Sequence, residues 1–147
     1  MQFRPWQRIL APTDFSRFAE SAVEYAHGLA ERLGAELHVL HVGKNLDEVV
    51  AEYGAQGTVG PLNTQDDYDR WLASLLGERG TVRRVEAVRV GPDVAQAIAH
   101  YAEKQTIDLI VIASHGRGGL AHLLMGSVAE QVLRRAACPV LVIRPAG

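Results

Sequence analysis

The run Leu109-Ile110-Val111-Ile112-Ala113 constrains the fold more than any other part of this chain. It is apolar throughout and largely β-branched, which fits a strand covered on both faces. Strands of that kind belong to parallel sheets, and parallel neighbours need a crossover of helix length between them. The chain supplies that alternation. Ile9-Leu10-Ala11-Pro12, Leu37-His38-Val39-Leu40-His41-Val42, Arg84 to Val90, and Val140-Leu141-Val142-Ile143 are the other strand candidates. After the first of them, Ser16 has the chemistry of a helix N-cap. Apolar residues then recur at helical spacing at Phe18, Ala22, Tyr25, Ala26, Leu29 and Leu33, and Gly34 supplies the stop. Gly91-Pro92-Asp93 opens a second helix, which places Val94, Ile98 and Tyr101 on one face. A last helix spans about Ser127 to Ala136. From Lys44 to Gly80 the pattern weakens: Leu46 to Tyr53 and Asp66 to Leu76 read as helical, with a glycine-rich loop at Gly54 to Pro61. The expected architecture is a single α/β domain over residues 1–147, a five-stranded, mainly parallel sheet with helices on both faces. In such sheets ligands bind beyond the carboxyl ends of the strands, where the strand order reverses.

Composition narrows the classes of function. With 147 residues, 48% of them hydrophobic and 22% charged, the chain can bury one sizeable core and does not read as disordered. A formal charge of −2 leaves no basic footprint for a nucleic-acid duplex. No stretch approaches the ~18 consecutive apolar residues of a membrane helix. The residues Met1 to Gln7 lack the apolar core of a signal peptide. A single cysteine, Cys138, suits a reducing compartment. The expectation is a cytoplasmic protein with no membrane insertion and no nucleic-acid partner.

Chemistry concentrates after the fourth strand, in Ala113-Ser114-His115-Gly116-Arg117-Gly118-Gly119 and on to Met125-Gly126-Ser127. Glycine at a strand end lets an anion approach the main chain, and a helix start adds amides and the positive end of a dipole. A second reading needs no ligand: Ser127 and Glu130 fit the capping box S-x-x-E, and the glycines make a turn. Two common phosphate motifs are absent. There is no G-x-x-x-x-G-K-[ST], and Gly116 to Ala121 fits G-x-G-x-x-A only loosely, after the wrong strand and without the later acidic residue.

Taken together, Ile9-Leu10-Ala11-Pro12-Thr13-Asp14-Phe15-Ser16, Leu40-His41-Val42, Val90-Gly91-Pro92, Ser114-His115-Gly116, Gly126-Ser127-Val128-Ala129-Glu130 and Cys138-Pro139-Val140-Leu141-Val142 resemble the universal stress proteins, over essentially the whole chain. The resemblance implies a Rossmann-like three-layer sandwich with strand order 3-2-1-4-5. It also implies ATP as the ligand of its ATP-binding branch, and Mg²⁺ is expected to ride on the triphosphate because that ion usually binds through substrate phosphates. In that branch the pattern is G-x-x-G, nine residues, then G-[ST]; Gly116, Gly126 and Ser127 match it, while Ala113 stands where the first glycine would be. The same resemblance assigns the phosphates to Gly116, Gly126, Ser127 and the Val128 amide. It places Asp14 near the adenosine and the Val42 main chain at adenine, with Pro12 and Thr13 shaping that wall and Ile112 and Ala113 beside the ribose. His115 and Arg117 are further candidates to orient phosphate. The function implied is a nucleotide-dependent stress-response or regulatory factor. A nucleotide-free interaction module of the same fold and a slow ATPase are the alternatives left open.

Other candidates carry less. His38 and His41 lie three apart on a strand, so they face opposite sides and cannot chelate one ion. His115 and His122 lack a third ligand for zinc. Ser114 and His115 are chain neighbours, without the G-x-S-x-G elbow that would expose a nucleophile. Cys138 reads as a core residue, and Arg134 and Arg135 as complements to a helix C-terminus. The last strand is apolar and bracketed by Pro139 and Pro145; as a bare edge it would invite aggregation. Pairing with its copy, as the resemblance also implies, predicts a homodimer through Val140 to Ile143.

Overall fold

The apolar runs become strands and the periodic segments become helices in the computed structural model, which describes residues 3, 5–45, 73, 75–77, 80–116 and 124–144. The strands are β1 (Arg8–Thr13), β2 (Glu36–Gly43), β3 (Arg84–Val90), β4 (Leu109–Ala113) and β5 (Val140–Ile143). The helices among the described residues include α1 (Arg17–Leu33), α2 (Val94–Lys104) and α3 (Ser127–Arg135). The sheet order is β3-β2-β1-β4-β5, and every pairing is parallel rather than mainly so. The expected helix at Leu46 to Tyr53 and the loop at Gly54 to Pro61 lie outside the described residues, as does most of the helix at Asp66 to Leu76. Of the latter, Ala73, Leu75 and Leu76 are helical.

Period-two alternation divides the core into two layers. Ile9, Ala11, Leu37, Val39, Leu109 and Val111 face α1 and pack on its Ala22, Val23, Ala26 and Ala30. Leu10, Leu40, Ile110 and Ile112 face the other way, onto Ala95, Ile98 and Tyr101 of α2 and Ala129 and Val132 of α3. The small residues of α1 let it lie close on the sheet, while Tyr25 and Leu33, expected on its apolar face, are half exposed. Ser16 caps α1 by accepting from the Ala19 amide at 3.2 Å, and Gly34 ends it at φ 66°, a left-handed conformation suited to glycine. Asp93 caps α2 in the same way, accepting from the Gln96 amide at 3.1 Å. Its second oxygen takes the Arg135 guanidinium at 2.7 Å, so the ends of α2 and α3 are tied together. That hydrogen bond, with help from the Gln96 amide, holds the Asp93 carboxyl below the usual aspartate range. Arg135 therefore has a named carboxylate partner in addition to the helix dipole, and Arg134 likewise bonds Glu130 at 3.0 Å.

His38 and His41 do face opposite sides. His38 bridges Glu36 at 2.6 Å and the Tyr101 hydroxyl at 2.8 Å on the α2 side. The Glu36 carboxylate can only accept, so His38 donates Nε2–H to it, and burial pushes the Tyr101 hydroxyl above its ordinary pKa and keeps it protonated. Cys138 packs half-buried against the second core layer, where burial raises its thiol pKa and disfavours the reactive thiolate. β5 closes one side of the sheet and pairs with β4 alone among the described strands, with all its residues part-buried.

Candidate functional site

The order β3-β2-β1-β4-β5 puts a topological switch between β1 and β4. From β1 the chain crosses to β2 on one side, and β4 lies on the other, so the loops leaving β1 and β4 diverge and open a crevice. The residues at that crevice are Asp14 after β1 and Ser114, His115 and Gly116 after β4. Val42 lies near the end of β2, next along the same sheet edge.

The β1 exit is an unusual turn. The Phe15 amide donates to Thr13 Oγ1 at 3.0 Å, and the Ser16 amide donates to Asp14 Oδ1 at 2.9 Å. Between them Phe15 adopts φ 63°, the left-handed region, although it is bulky and buried. A non-glycine residue there costs on the order of 1–3 kcal/mol, so the surroundings must hold it in place. Phe15 stacks at 4.6 Å, tilted by 43°, on the imidazole of His41. That imidazole in turn donates Nδ1–H to the Thr13 carbonyl at 2.9 Å.

The β4 exit meets this turn directly. A methyl group on Gly116 would lie 2.6 Å from Asp14 Oδ2, closer than atoms tolerate, so glycine at 116 lets the carboxylate lie against the main chain. The Gly126 amide donates to the Ser114 carbonyl at 2.6 Å, bringing the start of α3 onto the end of β4. A Cβ on Gly126 would sit 3.2 Å from that same carbonyl. Ser114 also donates its main-chain amide to Ile143 on β5 at 2.8 Å. Its hydroxyl lies 2.8 Å from His115 Nδ1, and both residues are buried. The two chain neighbours are therefore a bonded pair after all, set inside the β4 exit. Phe18 of α1 covers His115 with ring centroids 6.3 Å apart.

The ligand-free alternative, a capping box of Ser127 and Glu130, does not form. Gly126 occupies the N-cap position, no side chain caps the helix, and Ser127 is its first residue. Glu130 instead pairs with Arg134. A side chain at the cap position would crowd the Ser114 carbonyl by a few tenths of an ångström. The first turn of α3 thus begins with its cap position bare of a side-chain acceptor, and Ser127 and Val128 are exposed beside it.

Of the residues anticipated from sequence, Asp14, His115, Gly116 and Gly126 come together at the crevice. Pro12, Thr13, Val42, Ile112 and Ala113 are buried in the strand ends that frame it. Ala113 ends β4 with its methyl in the core layer beneath α1, and it is not among the residues with positive φ. Nothing in its backbone therefore asks for glycine. Arg117 lies outside the described residues. Sequence reasoning passed over Phe15 and His41 as contributors; an imidazole inside an otherwise apolar strand was the available signal. Among the described residues, no group of three or more His, Cys, Asp or Glu is placed to hold a metal ion.

The sequence profile of the universal stress protein family matches residues 5–144. The chain belongs to that family. A universal stress protein of Methanocaldococcus jannaschii is 30% identical over 142 residues, covering 95% of this chain and 82% of that protein. Among solved universal stress proteins, UspA from Lactobacillus plantarum superposes with a TM-score of 0.75 at 26% identity, over 97% of this chain and 100% of that one. A universal stress protein solved in complex with cAMP shares the fold at 24% identity and a TM-score of 0.68, over 97% of this chain and 100% of that one. Among the described residues of this universal stress protein, no helix is long and apolar enough to cross a membrane.

Proposed function

We propose that this universal stress protein binds an adenine nucleotide, ATP with Mg²⁺, in the β1–β4 crevice, and acts as a nucleotide-dependent regulatory factor in the cytoplasm. One observation carries the reading: Gly116 and Gly126 bring Asp14, the β4 exit and the uncapped start of α3 to one point at the switch of strand order. Glycine at both places leaves main chain where a polyanion needs close approach, and the α3 amides and dipole favour negative charge. The residues fit the group. Gly116, Gly126, Ser127 and the Val128 amide would hold the phosphates, with His115 and Arg117 beside them. Asp14, Val42, Pro12, Thr13, Ile112 and Ala113 would hold the nucleoside. The triphosphate supplies the charge that recruits Mg²⁺, an ion commonly held through substrate phosphates.

Thermal denaturation with and without Mg-ATP tests this. A ligand at a hundred times its Kd adds about 2.7 kcal/mol, or roughly 5–10 °C for a domain of this size. A folded protein whose midpoint is unmoved by saturating Mg-ATP contradicts the reading.

The protein is further proposed to be a homodimer through β5. That strand lies at the side of the sheet with Val140, Leu141, Val142 and Ile143 only part-buried, and pairing two copies would cover it. Light scattering at micromolar concentration is expected to give twice the 16.0 kDa of one chain. A monomer at that concentration overturns the assignment.

A further inference from the structure

We propose that His41 is a positioning residue for the crevice: it fixes the Thr13–Ser16 turn and so aims Asp14 at Gly116. His41 is 1% exposed within β2, between Leu40 and Val42, where an aliphatic side chain would pack as well. An imidazole buried there has to justify its polar atoms by hydrogen bonding. Its Nδ1 lies 2.9 Å from the Thr13 carbonyl, and a carbonyl can only accept, so the proton sits on Nδ1. The carbonyl it holds belongs to the peptide plane that leads into Asp14, and because that unit is planar, fixing the oxygen fixes the Asp14 amide too. The opposite side of Asp14 is held by the same ring, which stacks at 4.6 Å on Phe15. Phe15 carries the left-handed backbone that turns the chain, with its amide on Thr13 Oγ1. Asp14 Oδ1 is engaged by the Ser16 amide, and Oδ2 is the oxygen directed at Gly116. One imidazole thus braces the residues before and after the carboxylate. His41 itself acts through Asp14.

The affinity arm of the test rests on the nucleotide reading; the other arms do not. His41→Leu keeps volume and removes the donor, while His41→Asn keeps a donor near the Nδ1 position. Calorimetric titration with Mg-ATP is expected to show about tenfold weaker binding for His41→Leu, the effect of one lost hydrogen bond, with most of the affinity restored in His41→Asn. Because His41 works through Asp14, His41→Leu is expected to add no further loss to Asp14→Ala. Wild-type affinity in His41→Leu, or losses that simply add, would overturn the proposal.

If the wild type binds no nucleotide, the nucleotide reading fails and the positioning claim is read on the ligand-free protein. Amide hydrogen exchange at Phe15 and Ser16 is expected to quicken about tenfold in His41→Leu, while the Ala35 amide, bonded to the Ala30 carbonyl at 2.9 Å at the far end of α1, keeps its protection. Unchanged protection at Phe15 and Ser16 overturns the claim. Should His41→Leu not fold, ¹⁵N imidazole spectra of the wild type decide: His41 must carry its proton on Nδ1, and the Nε2–H tautomer refutes the arrangement.

Discussion

Gly126→Asp is expected to abolish nucleotide binding while leaving the fold intact. Gly126 sits at φ −71° and ψ 160°, an extended N-cap conformation open to any residue. Aspartate is a favourable N-cap, so its carboxylate would accept from the first-turn amides of α3 and contribute a few tenths of a kcal/mol relative to glycine. Against this, the new Cβ would lie 3.2 Å from the Ser114 carbonyl, and the β4 exit would have to yield by a few tenths of an ångström. The two effects offset, and the unfolding midpoint is expected to stay within about 3 °C of wild type. Binding has no such compensation. The introduced carboxylate occupies the amides that a phosphate would use and repels the anion, and like charges brought together cost several kcal/mol. Affinity is expected to fall by at least about a hundredfold, or roughly 2.7 kcal/mol. Titration of the variant against wild type, with a melting curve for each, separates the two outcomes; a variant that binds normally would remove the α3 start from the site.

Leu10→Ala carries the largest expected effect on stability. Leu10 is fully buried at the middle of β1, the central strand, paired in register with His38 on one side and Ile110 on the other. It belongs to the core layer shared by Leu40, Ile98 and Ile110, so truncation leaves a cavity bounded by side chains that both α2 and the sheet hold in place. Deletions of this kind cost about 2–5 kcal/mol, a large share of the ~5–15 kcal/mol of a typical domain. Chemical denaturation is expected to show the loss as a lower midpoint with an unchanged slope. Leu33→Ala, at a site half exposed on α1, is expected to change stability by no more than about 0.5 kcal/mol. Equal losses at the two positions would contradict the two-layer core.

The central strands were legible from sequence because burial on both faces writes itself into consecutive residues. Leu109–Ala113 falls where its apolar run puts it, and so does the part-buried Val140–Ile143, while the mixed run Arg84–Val90 forms a strand at the expected residues with only partial burial. Period-two alternation likewise separated His38 from His41 correctly. The α3 start shows the limit of local rules: S-x-x-E at Ser127 and Glu130 fits a capping box, yet Gly126 takes the cap position, with its amide on the Ser114 carbonyl twelve residues earlier in sequence. No local pattern records such an approach. The same holds for Gly116, whose lack of a side chain matters because of Asp14, roughly a hundred residues earlier. Phe15 was illegible in a stronger sense, since a bulky residue argues against the positive φ that it adopts. Departures from local rules are expected where a fold serves a site. Here Phe15, Gly116 and Gly126 all lie at one crevice.

The central claim is that this crevice holds an adenine nucleotide, and titration calorimetry of the wild-type protein with Mg-ATP tests it most directly. The predicted result is a saturable isotherm with one site per chain, abolished in Gly126→Asp. A flat isotherm from a folded wild-type protein at millimolar Mg-ATP would contradict it.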